Sequence, residues 1–533
     1  MKIAIGSACS TSLSGSENMT IYELGKLEDF PENKPSKAST ACRDLVVVRR
    51  GGEAFILDHD CQHLGAPLSE GYVDGDTLVC PWHRAVISLM DGTLEEPPGC
   101  RHHRRYEALI EDGRLKVAID PAEEAYREVT FSKPEGTAEA GLENVLILGG
   151  GAAGVSAAQT LAEEGFAGRI TVLSFENEEP YDRTKISKEL MTEKGVMEGG
   201  ALDCLEHGEL DFRQCRAEAI DLERREVRLE NGETLTADAM ILAPGSEPIR
   251  PDVPGADLPG VLTLRSIDDA GHLSRLVDDA KKAVVVGSGF IGLEAATLLR
   301  GEDLEVVLVS RDELPFEKML GERVGQRLFR EQREKGVDIR AGAELERLIG
   351  KGKVSGVVLE NGETIEADLV IMATGVRPRT ELLPQELRAD DGGVSVGENF
   401  QLEGYDRVHA AGDIARIATP FGEIRVEHWR WAQQTGRAAA MALLGKPPAI
   451  DRRVPFFWTK QHAPGSYVYV GHAEGWDTVR YEGDPDGGEF IAYYLDGDVC
   501  HAVFAQGLTD RVSAIERLMA AHGPLAKERL QIS

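Results

Sequence analysis

The sequence predicts a multidomain chain: a small all-β unit, then two doubly wound α/β units, then a further unit at the C-terminal end. Three observations carry this. Short apolar runs separated by glycine and charged turns extend from about residue 20 to Ile119. A buried strand, a glycine-rich turn and a helix occur twice, starting at Val145 and at Ala283. After Gly445-Lys446-Pro447-Pro448, strand-like segments resume with Phe456-Phe457-Trp458 and Tyr467-Val468-Tyr469-Val470. A length of 533 residues accommodates three or four domains.

In the first unit, Leu45-Val46-Val47-Val48 and Ala54-Phe55-Ile56-Leu57 flank Gly51-Gly52 and read as a hairpin over residues 44–57. Two mixed pairs follow, Cys61-Gln-His63 and Cys80-Pro-Trp-His83, with sixteen residues between His63 and Cys80. Two thiolates and two imidazoles can hold zinc. Zinc fingers, however, pair like ligands at short spacing. Mixed pairs suit a cluster in which two Cys bind one iron and two His the other. On these residues the segment resembles the Rieske [2Fe-2S] ferredoxin domain, which makes Cys61, His63, Cys80 and His83 the expected metal ligands. Ala66 and Trp82 stand where respiratory members carry an extra disulfide, so the resemblance is to the disulfide-free type. Arg84 stands where that family usually has Gly, and is expected to alter the potential of the centre or the docking of a partner.

Arg101 to Arg105, with His102 and His103, reads as a basic patch on a solvated loop. The domain is expected over 19–122. Residues 123–141, charged and carrying Pro134-Glu135-Gly136, read as a linker.

The pattern then changes to alternating strands and helices. Gly149, Gly151 and Gly154 follow the strand Val145-Leu146-Ile147-Leu148, and Gly287, Gly289 and Gly292 follow Ala283-Val284-Val285-Val286. Each set sits between a strand and a helix, where glycines let a pyrophosphate approach the backbone and the helix N-terminus stabilises its charge. Two Rossmann-like domains are therefore expected. Glu176, after the strand Ile170-Thr171-Val172-Leu173, is placed to bind an adenosine ribose. The run from Pro180 to Lys188 and the strand Val408-His409-Ala410, ending in Gly412-Asp413, complete the pattern.

Together these motifs resemble the two-dinucleotide flavoprotein reductases. The likeness is to the ferredoxin-reductase and apoptosis-inducing-factor-like branch, in particular members with an N-terminal Rieske domain. The resemblance implies FAD at the first site, over 142–265 and 385–447, and NADH or NADPH at the second, over 266–384. The resemblance also implies a C-terminal α+β reductase domain over 450–533. It further implies that Arg183 and Asp413 contact the flavin nucleotide and that Lys188 approaches the flavin ring and pairs with Glu294, these two being the catalytic candidates. Trp429, in Glu427-His428-Trp429, would line the ring, and Trp458 would close its other side. Ala243 with Gly245, and Ala373 with Gly375, match the A-x-G turns that cross between domains.

The second nucleotide strand, Val306-Val307-Leu308-Val309, ends in Ser310-Arg311. An acid there would select NADH by bonding the 2′-hydroxyl. Ser310 lacks that carboxylate and Arg311 could meet a 2′-phosphate, which leans toward NADPH. The family mostly uses NADH, so NAD(P)H is the expectation.

Composition narrows the classes. A net charge of −32 argues against nucleic acid or an anionic membrane as partner. Eight cysteines occur without a C-x-x-C, which fits a reducing cytoplasm and speaks against a disulfide reductase. No apolar run approaches a membrane span. The Ser-rich N-terminus reads as a disordered tail, or as a stretch ahead of a natural start near Met19. The function expected is an NAD(P)H-dependent reductase that passes electrons through FAD to a fused cluster and on to an unidentified acceptor, with homodimer formation left open. The alternative is an NAD(P)H-responsive redox-sensing interaction protein with slow turnover.

Overall fold

A computed structural model describes residues 19–127, 142–188, 210–448, 454–462 and 465–531. The tail ahead of Met19 and most of the expected linker lie outside these residues. Two compact units divide the chain: described residues 19–127 form the body of the first, and those from 142 onward nearly all of the second.

The first unit is all-β. Ser36–Ser39, Asp44–Arg50, Glu53–Asp58 and Arg105–Tyr106 form one antiparallel sheet, and Tyr72–Asp74, Thr77–Val79, Val86–Ser88 and Leu94–Glu96 another. The expected hairpin is present, with Val47 opposite Ile56. Both of its faces are buried. Val46, Val48, Phe55 and Leu57 face a core that includes Cys61 and Cys80, while Leu45, Val47, Ala54 and Ile56 face a second core around Tyr106 and Val117. The period-two alternation of strand side chains sorts one β-branched run between two cores. The unit extends past residue 122, because Tyr126–Arg127 pairs with His102–His103. That strand covers His103, which is fully buried rather than part of a solvated basic patch. Two-residue strands have no periodicity to read, so the sequence hides them.

In the second unit two parallel five-stranded sheets share the order of four strands and differ in the origin of the fifth, an edge strand that comes last in the chain in the first sheet and first in the second. The first runs Leu210–Gln214, Arg169–Ser174, Asn144–Leu148, Ala239–Leu242, Val408–Ala410. The second runs Asp338–Arg340, Glu305–Val309, Lys282–Val286, Leu369–Met372, Val261–Leu262. In each, the glycine turn follows the central strand and leads into a helix, Ala152–Glu163 or Phe290–Gly301. Ligands of open parallel sheets bind at the carboxyl ends of such strands. Val261–Leu262 belongs to the second sheet although it precedes the expected boundary at 266.

The C-terminal sheet of Phe456–His462, Gly465–Gly471, Val499–Gln506, Phe490–Asp496 and Thr478–Gly483 is antiparallel. One face, with Phe456, Ile491 and Val503, packs with the helix Thr509–His522. The other, with Tyr467, Tyr469 and Phe504, joins the core of the second nucleotide-binding domain. Among the described residues no helix is long and apolar enough to cross a membrane.

Candidate functional site

The metal candidates lie on two tight loops at one end of the first unit's core. Cys61 N–H donates to Ala66 O at 2.8 Å, Gly65 N–H to Cys61 O at 2.8 Å, and Cys80 N–H to Ala85 O at 2.9 Å. Gly65 is left-handed (φ 70°), as that turn requires. The donors are sorted by element. The Cys61 and Cys80 thiols are buried and hydrogen-bonded to each other. His63 Nδ1 and His83 Nδ1 face each other at 3.0 Å. Backbone N–H groups of His63 and Leu64 serve the Cys61 sulfur, and those of His83 and Trp82 serve Cys80. Burial pushes the Cys80 thiol up, but its bonds from Cys61 and the backbone prevail and bring it down to about 7. The hydrogen bond to Cys80, with burial, pushes Cys61 well up. A thiolate pair beside an imidazole pair fits a two-iron centre.

Two neighbours escaped the sequence reading. Gln62 Oε1 accepts from Cys100 N and Arg101 N, each at 3.3 Å, tying the first ligand loop to a third loop. His103, held down to about 4 by burial, approaches Asp60 O with Nε2 at 3.3 Å. Trp82, between the second pair of ligands, is 45% exposed.

In the second unit both glycine triads show the same division of labour. A Cβ on Gly149 (φ 119°) would lie 2.0 Å from Ala243 O, and one on Gly287 (φ 110°) 2.2 Å from Ala373 O. A Cβ on Gly154 would meet Gly149 O at 1.8 Å, and one on Gly292 would meet Gly287 O at 2.0 Å. The first and third glycines thus close the turn and pack the helix on its strand. The middle ones, Gly151 and Gly289, have nothing within 4 Å of that position, which leaves open backbone for a phosphate. Beyond these turns the crossing segments pair as Ser246–Pro248 with Val376–Pro378, just after Gly245 and Gly375.

A cavity of about 310 Å³ opens at the first triad. Gly149, Gly151, Ala243 and Gly245 form one wall, Glu176 and Arg183 another, and Asp413, Glu427, His428 and Trp429 the far end. Glu176 pairs with Arg183 at 2.6 Å and accepts from Tyr181 Oη at 2.5 Å. Tyr181 Oη also accepts from Ile267 N, and Asp182 caps the following turn by accepting from Thr184 N, both at 2.9 Å. Arg265 and Arg379 also line the cavity, and sequence reasoning missed both. Arg265 pairs with Asp413 at 2.8 Å, and the Arg379 guanidinium lies 4.2 Å from the Phe175 ring centroid. Buried Ser246 Oγ, Arg379 Nε and His428 Nδ1 on this lining have no hydrogen-bond partner among the described residues. Such atoms call for a polar ligand. An open glycine edge and unmet polar atoms fit FAD.

Beyond His428 lies the Lys188–Glu294 pair. The Lys188 ammonium sits 2.8 Å from Glu294 Oε2 and 5.0 Å from the Trp458 ring centroid. Buried Glu294 also accepts from Ser187 Oγ at 2.6 Å, Thr459 Oγ1 at 2.7 Å and Lys460 N at 3.3 Å. Burial, and then the charges of Lys188 and Arg430, hold His428 down to about 3. Trp431 is a core residue, as is Phe456. At the second nucleotide site Ser310 is buried, 2.8 Å from Ser288 Oγ, and donates to Asp312 O at 2.7 Å. Its hydroxyl is thus committed, while Arg311 is exposed.

Residues 143–436 match the family described as pyridine nucleotide-disulphide oxidoreductase, and residues 20–107 match the Rieske [2Fe-2S] domain. Apoptosis-inducing factor 3 of Homo sapiens is 30% identical over 516 residues, covering 95% of this chain and 85% of that one. The biphenyl dioxygenase system ferredoxin–NAD(+) reductase component of Paraburkholderia xenovorans (strain LB400) is 31% identical over 399 residues, 73% of this chain and 96% of that one. Among solved structures, the covalent putidaredoxin reductase–putidaredoxin complex is similar, with a TM-score of 0.68, 28% identity and coverage of 73% and 95%.

Proposed function

The chain belongs to the pyridine nucleotide-disulphide oxidoreductase family and carries a Rieske domain ahead of it, and from that premise we propose that it is an NAD(P)H-dependent reductase delivering electrons through FAD to its own iron–sulfur centre and on to an external acceptor. The observation that carries this is the presence, in one chain, of a sorted Cys₂/His₂ donor set and a doubled dinucleotide cradle. In this reading Cys61 and Cys80 hold one iron, and His63 and His83 the other.

The chemistry a bound flavin would supply is conversion between a two-electron hydride donor and a one-electron centre. The residues supply binding and electrostatics. Gly151 and Gly289 offer open backbone N–H edges to the two pyrophosphates, and Arg183, Arg265 and Arg379 offset negative charge in the first cavity. Glu294 fixes the Lys188 ammonium against Trp458 beside His428. His428, neutral at working pH, keeps Nδ1 free to accept a hydrogen bond from a ligand.

Two relatives support a ferredoxin-type acceptor: one is by name a ferredoxin–NAD(+) reductase, and the other was solved joined to putidaredoxin. Here that acceptor would be part of the same chain, which raises its effective concentration. The test compares wild type with Cys80→Ser, using ferricyanide and cytochrome c as acceptors of NAD(P)H electrons. The variant should lose cytochrome c reduction and keep flavin-dependent ferricyanide reduction. Undiminished cytochrome c reduction would show that the cluster is not the outlet.

A further inference from the structure

Arg84 directly follows the ligand candidate His83, and nothing in the electron path described so far uses it. Its backbone is left-handed (φ 63°), a region where glycine is the easy occupant and a long side chain is disfavoured. Its side chain, 1% exposed, ranks among the largest fully buried side chains of the described chain. Its guanidinium turns back into the ligand loop, where Nη1 donates to Pro81 O at 2.9 Å, between Cys80 and Trp82. Cζ lies 5.8 Å from the Tyr72 ring centroid.

These facts separate the two roles expected of an arginine here. A docking charge must be reachable, and this one is not. Packing alone would be served by an apolar chain, or by glycine at this φ. What arginine adds is a positive charge on a planar donor fork, fixed within the loop that carries two ligands.

We propose that Arg84 is a positioning residue that raises the reduction potential of the iron–sulfur centre, by holding the Cys80–His83 turn through Pro81 O and placing a buried positive charge beside it. Reduction adds one negative charge to the centre. A fixed cation in a poorly screened interior favours that state, and hydrogen bonding and burial are recognised controls of cluster potential. The consequence is a cluster that accepts electrons from the flavin more readily. The proposal rests on the reading of Cys61, His63, Cys80 and His83 as cluster ligands.

The experiment is a redox titration of the full-length holoprotein and of Arg84→Lys, Arg84→Met and Arg84→Gly, following cluster absorbance and the electron paramagnetic resonance of the reduced centre. Glycine suits the positive φ, methionine keeps bulk without charge, and lysine keeps charge. The methionine and glycine variants should shift the reduction equilibrium about tenfold toward the oxidised cluster, about 59 mV for a one-electron couple, with lysine close to wild type. Retention of the cluster by the lysine variant alone would equally assign the site to a cation. Unmoved potentials in the methionine and glycine variants would overturn the proposal, as would loss of the cluster from all three. A wild type that binds no iron–sulfur cluster would instead sink the ligand reading and this proposal with it.

Discussion

The Lys188–Glu294 pair can be tested by a double-mutant cycle of Lys188→Met and Glu294→Gln. The two charges are 2.8 Å apart, with side-chain exposures of 19% and 5%. At that distance Coulomb attraction at an effective dielectric of ~20 is about 6 kcal/mol gross, and the desolvation of both ions opposes it. Removing either partner leaves the other charged and mostly out of water, so each single variant should destabilise the second unit by about 3 kcal/mol, the low end of the cost of breaking a buried pair. Glu294 would still hold the bonds from Ser187, Thr459 and Lys460 N, and Lys188 would hold that to Thr184 O at 2.9 Å. The double variant leaves no orphan charge and should cost less than the sum, with a coupling of about 2 kcal/mol or more. Equilibrium urea unfolding of the holoprotein, followed by release of flavin fluorescence, measures all three. Additive costs, or single variants within about 0.5 kcal/mol of wild type, the range of ordinary surface substitutions, would refute the pairing as a buried charged unit.

Further predictions concern the nucleotide sites and pH. Gly289→Ala should keep the fold and weaken NAD(P)H binding roughly tenfold, about 1.4 kcal/mol, whereas Gly292→Ala should unfold the second nucleotide-binding domain; equilibrium binding and circular dichroism separate the two. Arg311→Ala should raise the KM for NADPH about tenfold, the worth of a charged hydrogen bond, and leave that for NADH unchanged; a wild-type preference for NADH in steady-state kinetics contradicts this. Burial holds His409 down to about 4 and, with Lys188 and Arg430 nearby, His428 down to about 3, against 6.5 when unfolded. Below 6.5 the unfolded chain therefore binds protons that the folded one refuses. Stability is full above that pH and falls toward the folded pKa by about 1.4 kcal/mol per pH unit for each histidine. Urea midpoints between pH 7 and 5 report the slope, and His409→Gln should flatten it.

The features legible in the sequence were those with local signatures. Gly149, Gly151 and Gly154 announced their turn because a strand precedes them and a helix follows, and the second triad repeated the message. Cys61, His63, Cys80 and His83 stand out as candidates because their spacing falls within two loops. What escaped depends on contacts between distant segments. Val261–Leu262 joins the second sheet only through Val370 and Ile371. His103 looked solvated until the short strand at Tyr126 covered it. Arg265 and Arg379 reach the first cavity from crossing segments far along the chain, and Thr459 meets Glu294 across 165 positions. No period or motif marks such a side chain, because its role exists only once the domains pack.

An anaerobic titration of the holoprotein with NADH or NADPH, recording flavin and cluster absorbance together, tests the proposed electron path most directly. Both bands should bleach, with uptake of two electrons for the flavin and one for the cluster. A flavin that bleaches into a long-lived complex with the nicotinamide while the cluster stays oxidised would contradict it, and would point instead to a slow redox sensor.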